Sequence, residues 1–156
     1  MNQRYVLDEN IVILAQNLQN DTGDDDSTCR RLLDIIIDIC HTIVLDGVLW
    51  AKYYNQLRSL PPDQPHGPRS VMRIMYLATA RDGKIENIGG SARRFPEEAE
   101  IPQGSQDDVP IVRLAVETGA ILVTTDEALR EDLNSCGVQE TYSLQVLSPE
   151  QALDRL

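Results

Sequence analysis

Short, nearly continuous apolar runs alternate with helix-spaced apolar positions along this chain. Arg4 to Leu7 (RYVL) reads as a first strand, closed by Asp8. Beyond it Ile11, Leu14, Ala15 and Leu18 recur at the spacing of a helix that buries one face. Asn20 to Ser27 (NDTGDDDS) is a polar break, and its run Asp24-Asp25-Asp26 reads as a solvated turn that caps the next helix. That helix spans Thr28 to His41, with Cys29, Leu33, Ile36 and Cys40 on one stripe. Thr42 to Leu45 is a second strand and is again followed by an aspartate, Asp46. Gly47 to Leu60 follows as a helix that turns Leu49, Tyr53, Leu57 and Leu60 inward.

Pro61-Pro62 stops that helix, and PPDQPHGP is a rigid loop. Arg69 to Ala80 predicts a fourth helix with Val71, Ile74, Met75 and Ala78 facing the core. From Arg81 to Gln106 the periodicity dissolves into Gly, Pro and charge, which predicts a surface insertion around one short strand near Lys84 to Ile88. Regularity returns at DDVPIVRLAVETGA, where Asp107 or Asp108 caps a helix, Pro110 sits in its first turn and Gly119 ends it. A strand from Ile121, a helix from Glu127 to Ser135 and a last strand within Thr141 to Leu147 come next. SPEQALDRL closes the chain as a helix capped by Ser148. Strands alternating with helices predict an α/β protein: a three-layer α/β/α sandwich around a central, mainly parallel sheet. A length of 156 residues fits one domain, with 81–106 as its insertion.

Composition narrows the chemistry. The chain is 42% hydrophobic with few aromatics, an ordinary aliphatic core. Its longest uninterrupted apolar runs fall far short of a membrane span, and the N-terminus lacks an apolar signal core, so a cytoplasmic protein is expected. Three widely spaced cysteines form neither a disulfide framework nor a metal pair. Cys40 falls on the apolar stripe of its helix and is expected in the core. A formal charge of −11 argues against binding polyanions by bulk attraction. Of the 14 basic residues only Lys52 and Lys84 are lysines; the arginines include the pairs Arg30-Arg31 and Arg93-Arg94. For any one arginine, solvated charge or a salt bridge is the plainer expectation.

YVLD, IVLD and LVTTD put Asp8, Asp46 and Asp126 at or just beyond strand C-termini. In a parallel sheet those ends share one edge, where ligands bind if strand order reverses there. Asp108, opening the helix that leads into Ile121, reaches the same edge. Crowded carboxylates repel one another unless protons or cations intervene, and an all-oxygen set suits Mg²⁺ or Mn²⁺. The plainer alternative is that each aspartate caps the helix after it. It is preferred for Asp46, whereas Asp8, Asp108 and Asp126 together favour a metal site.

YVLDENI resembles the opening of PIN-domain ribonucleases, and DDVPIVRLAVETGAILVTTDEAL is similar to the second half of the same family. The resemblance spans most of the chain outside 81–106. It implies a PIN-like sheet, metal-binding carboxylates at Asp8, Asp108 and Asp126, and support from Asn10, Thr124 and Asp107. Where the family usually carries an acidic residue early in the helix after the second strand, this chain has Lys52, with Asp46 nearby as a substitute of different geometry. The implied function is an Mg²⁺- or Mn²⁺-dependent endoribonuclease acting on RNA. Such a protein is often the toxin half of a toxin–antitoxin pair, so an antitoxin or other protein partner and a homodimer are further implications. The competing reading is a catalytically weak or inactive PIN-like module that binds RNA or protein, and Lys52 speaks for it.

Overall fold

The computed structural model describes residues 2–59, 74, 77, 83–90 and 93–156, and the side chains of 57–59 are outside that description. Five strands, β1 (Arg4–Leu7), β2 (Thr42–Leu45), β3 (Ile85–Asn87), β4 (Ile121–Val123) and β5 (Val146–Leu147), form one parallel sheet in the order β3-β2-β1-β4-β5. Tyr5 stands between Ile43 and Ile121, so β1 is the central strand. Helices cover both faces of such a sheet, which is why its inner strands carry no polar alternation. Tyr5, Val6, Leu7, Ile43, Val44 and Leu45 are all fully buried. The fold is α/β with helices flanking a five-stranded parallel sheet, as the pattern of the chain predicts.

The helices among the described residues are α1 (Glu9–Asn17), α2 (Thr28–Asp38), α3 (Gly47–Ser59), α4 (Val109–Thr118), α5 (Glu127–Ser135), α6 (Val138–Thr141) and α7 (Pro149–Leu153). Two 3₁₀ segments, Glu98–Glu100 and Gln103–Asp108, lead into α4. Gly119 ends α4 at φ 62°, a left-handed position that favours glycine, and lets the chain turn straight into β4. Ser148 caps α7 by accepting from the Gln151 amide, and the Gln151 side chain accepts from the Ser148 amide in return. The predicted helix Arg69–Ala80 and the loop PPDQPHGP lie outside the described residues, apart from Ile74 and Leu77. Both are helical, and Ile74 is buried. Leu57 and Leu60 are likewise outside the described side chains.

Four expectations are corrected. Leu18 does not join the core face of α1; it is the left-handed C-cap and is 39% exposed, while Val12 and Gln16 take the buried positions. The polar turn does not cap α2 with its whole acidic run. Ser27 is the N-cap residue without a side-chain bond, and Asp26 accepts from the Thr28 amide at 2.7 Å. α2 stops at Asp38, with Ile39 extended, because the chain must straighten to enter β2 at Thr42. The last predicted turn is lost, and Cys40 is exposed rather than packed. The last strand does not start near Thr141. Gly137 (φ 82°) opens the one-turn α6, Thr141 donates to the Gly137 carbonyl at 2.9 Å, and only Val146 and Leu147 pair with β4.

The segment predicted as an insertion supplies β3 to the sheet edge. Ile88 donates to the Leu45 carbonyl at 3.0 Å, beside the end of β2. Downstream of it, Arg93 keeps a side chain only 8% exposed.

Candidate functional site: a carboxylate edge at the strand-order reversal

Strand order reverses between β1 and β4, and both strands end at this edge. The Asp8 amide donates to the Val123 carbonyl at 3.0 Å, which carries the β1–β4 ladder one residue past the strand and fixes Asp8 at the rim. Asp8 is 6% exposed and makes no side-chain cap on α1. Its Oδ2 instead accepts from the Thr124 hydroxyl at 2.8 Å. Thr124 is fully buried, and its Oγ1 also accepts from the Asp126 amide at 3.1 Å. One hydroxyl therefore ties together the ends of β1, β4 and the start of α5. The Thr124 carbonyl accepts from Arg130 at 2.8 Å, which braces the same turn from α5.

Asp126 both caps and belongs to the edge. Its Oδ1 accepts from the Leu129 amide at 2.9 Å, the third residue of α5. Asp108 is the residue before α4 and makes no side-chain cap. Burial lifts its carboxyl from the usual aspartate range to about 6, and the neighbouring charges of Asp8 and Asp126 push in the same direction. Lys52 pulls it back down, and Asp107 adds a smaller upward push from an exposed position. Asp8, Asp108 and Asp126 thus form one electrostatic neighbourhood.

Among the described residues no group of three or more His, Cys, Asp or Glu side chains is arranged to hold a metal ion. In donor chemistry the set still suits a hard divalent ion, being carboxylate and hydroxyl oxygen throughout.

At the β2 end the chemistry differs. Asp46 is 3% exposed, and both of its oxygens are engaged. Oδ1 accepts from the Leu49 amide at 2.8 Å as the cap of α3, and Oδ2 accepts from Arg93 at 2.8 Å. Arg93 also pairs through Nε with Glu117 of α4. Lys52, one turn into α3, holds Glu9 at 3.9 Å, and its charge acts on Asp108. The Tyr53 hydroxyl donates to the Leu7 carbonyl at 2.5 Å, backing the end of β1 from inside. Burial raises the Tyr53 phenol well above its usual range, and Asp8, Glu9 and Asp46 add to that.

Asn10, expected as a supporting residue, lies exposed in the first turn of α1, and no hydrogen bond joins it to the carboxylates among the described residues. Thr124 stands where sequence reasoning placed it. Arg93, Glu9 and Tyr53 were not foreseen there. The doublet Arg93-Arg94 inside a Gly- and Pro-rich stretch is the one sequence signal that bears on them, and it does not name Asp46 as a partner.

No family model matches this sequence, and no curated protein does. Among solved structures the chain is similar to one in the crystal structure of VapBC2 from Rickettsia felis bound to a DNA fragment from their promoter. The TM-score is 0.55 and the identity 17%, over 94% of this chain and 98% of that one. A likeness at that level of identity is a likeness of fold: this chain carries the α/β architecture of that complex's component.

Proposed function

We propose that this protein is an Mg²⁺- or Mn²⁺-dependent endoribonuclease of the PIN-like type. The observation that carries the reading is Asp8. It is a buried carboxylate at the strand-order reversal that caps nothing, is held by a buried threonine hydroxyl, and acts with Asp126 on the charge of Asp108. An aspartate kept only for capping has no reason to be placed so. Asp8, Asp108 and Asp126 would hold the ion, which supplies activation of water and stabilisation of charge on a scissile phosphate when bound. Thr124 orients Asp8 and the Asp126 turn, and Tyr53 fixes the carbonyl just before Asp8. By resemblance, an antitoxin-like protein partner and a homodimer accompany this activity. Val48 and Tyr54, half exposed on α3, offer apolar surface for such contact. Among the described residues no helix is long and apolar enough to cross a membrane.

A specific pair of cations favours the second reading, a weakly catalytic or inactive binding module. Arg93 occupies Asp46, and Lys52 places an ammonium in the field of Asp108. Calorimetric Mn²⁺ titration and cleavage of a structured RNA, run on the wild type, Asp8→Asn and Lys52→Glu, separate the readings. The nuclease reading expects measurable cleavage that Asp8→Asn abolishes. No cleavage by the wild type, with gain of Mn²⁺ affinity and cleavage in Lys52→Glu, assigns the protein to the second reading. Equal Mn²⁺ affinity in all three removes the metal site from this edge.

A further inference from the structure

A groove of about 410 Å³ lies along the C-terminal half of α4, lined by Arg93, Arg94, Phe95, Val116, Glu117 and Tyr142. That volume falls in the range of built small-molecule sites. A smaller cleft lined by Asp46, Arg93 and Arg113 connects the same arginine to the end of β2. Phe95 is the sole phenylalanine of the chain and is 48% exposed, an unusual position for the residue best suited to a core. The Arg94 guanidinium lies 5.6 Å from its ring centroid. Arg113 on α4 donates to the Pro96 carbonyl at 2.9 Å and so holds the backbone next to the ring.

The acids nearby are already engaged. Asp46 and Glu117 are paired with Arg93, and Glu100 accepts from the Tyr142 hydroxyl at 2.8 Å. Among the described residues no carboxylate pairs with Arg94 or Arg113. The groove therefore presents Arg94 and an exposed aromatic face, with Arg113 in the adjoining cleft, on a protein whose formal charge is −11. Cation beside aromatic is the recognition chemistry of an unstacked nucleotide: the ring accepts a base face, and the guanidinium groups accept phosphate.

We propose that this groove is a subsite for single-stranded RNA, in which Phe95 with Arg94 stacks one base and Arg113, in the adjoining cleft, holds the next phosphate. It deepens the nuclease reading and rests on it for the choice of RNA. An acidic peptide of a protein partner is the competing occupant, but such a peptide uses the arginines without requiring the open ring face.

The test uses the full chain in EDTA, so that binding is read without cleavage. A fluorescein-labelled single-stranded oligoribonucleotide gives affinity by polarisation, and the same strand carrying 2-aminopurine reports stacking. Wild type is expected to bind the single strand in preference to its duplex and to quench 2-aminopurine. Phe95→Ala is expected to weaken binding about ten- to a hundredfold and to lose the quench. Phe95→Tyr should retain both, and Arg113→Gln should lower the salt slope by about one ion. Phe95 is half exposed, so Phe95→Ala should fold, which circular dichroism checks. Unchanged affinity and quench in Phe95→Ala overturn the subsite. So does a polyglutamate peptide that binds more tightly than RNA and depends on Arg94 and Arg113 alone. Cleavage in Mn²⁺ is measured on the same proteins. If cleavage occurs but Phe95→Ala binds as wild type, only the subsite falls; if binding depends on Phe95 and nothing is cleaved, only the nuclease reading falls.

Discussion

The ends of β1 and β2 begin with nearly the same sequence device and finish with opposite chemistry. Each strand runs apolar into an aspartate, and a helix follows at once. Asp46 spends one oxygen on the α3 amide of Leu49 and the other on Arg93, so its charge is capped and neutralised inside the protein. Asp8 caps nothing and meets a hydroxyl, not a cation. The difference comes from what the topology brings alongside. β1 is central and faces β4, whose end supplies Thr124 and Asp126. β2 lies nearer the sheet edge, beside β3, and there the downstream chain reaches back with Arg93. A strand-end aspartate is paired with a cation or left with its charge according to its neighbour across the sheet.

The largest way to break this contrast is to remove Arg93. Its side chain is 8% exposed and that of Asp46 is 4% exposed, so Arg93→Met strands a buried carboxylate. Breaking such a pair from one side costs about 3–5 kcal/mol. Urea unfolding of Arg93→Met should show that loss as a lower midpoint at unchanged slope. Asp46→Asn keeps an effective cap and removes the charge, so the double variant should recover most of the loss. A change below about 1 kcal/mol for Arg93→Met would make the contact an ordinary surface pair, and the two strand ends would no longer differ in kind. In the other direction, a freed Asp46 should strengthen Mn²⁺ binding at the neighbouring edge.

How much of this was legible in the sequence follows the range of the forces involved. The order of strands and helices and the cap at Ser148 rest on local pattern, and the structure bears them out. So does the preference for capping at Asp46. The failures sit where tertiary demands override local pattern. TYSLQVL alternates like a strand, but Gly137 and Ser143, both at positive φ, hold its first half in turns. The stripe through Cys40 is sound helical spacing, yet entry into β2 ends the helix first. The Arg93–Asp46 contact joins residues 47 positions apart, and nothing in either local window encodes it.

Thr124→Val probes the other end with a smaller effect. It preserves shape and the buried position but removes the hydroxyl that donates to Asp8 and accepts from the Asp126 amide. A buried acceptor and a partly buried donor are left unmatched, at about 1–3 kcal/mol. Thermal unfolding should show the loss, and added Mn²⁺ should restore part of it if the ion takes over the orphaned Asp8 oxygen. Identical melting of variant and wild type would mean that the threonine link is incidental, and the β1 end would lose the feature that sets it apart.

The smallest effect is carried by Asp108 and is read through pH. Its carboxyl titrates near 6 in the fold, first because of burial and then because of Asp8 and Asp126. An unfolded aspartate titrates near 3.9. Between those values the folded chain binds more protons than the unfolded one, so the slope of stability with pH is negative there. The favourable contribution of the protonated Asp108 is therefore complete below about pH 4 and is lost as pH rises through about 6. Asp108→Asn removes that dependence and should be the more stable protein at pH 7.5. Asp108 is only half buried, so the gain should be on the order of 1 kcal/mol once solvent screening is allowed for, or roughly 2–4 °C in melting temperature. At pH 4 the two proteins should melt together, apart from any small difference in packing. Metal-free melting curves at both pH values measure the gap between the two proteins. A gap that widens toward pH 4, or none at pH 7.5, would mean that neither burial nor the charges of Asp8 and Asp126 raise Asp108, and the carboxylates would then act independently along one edge.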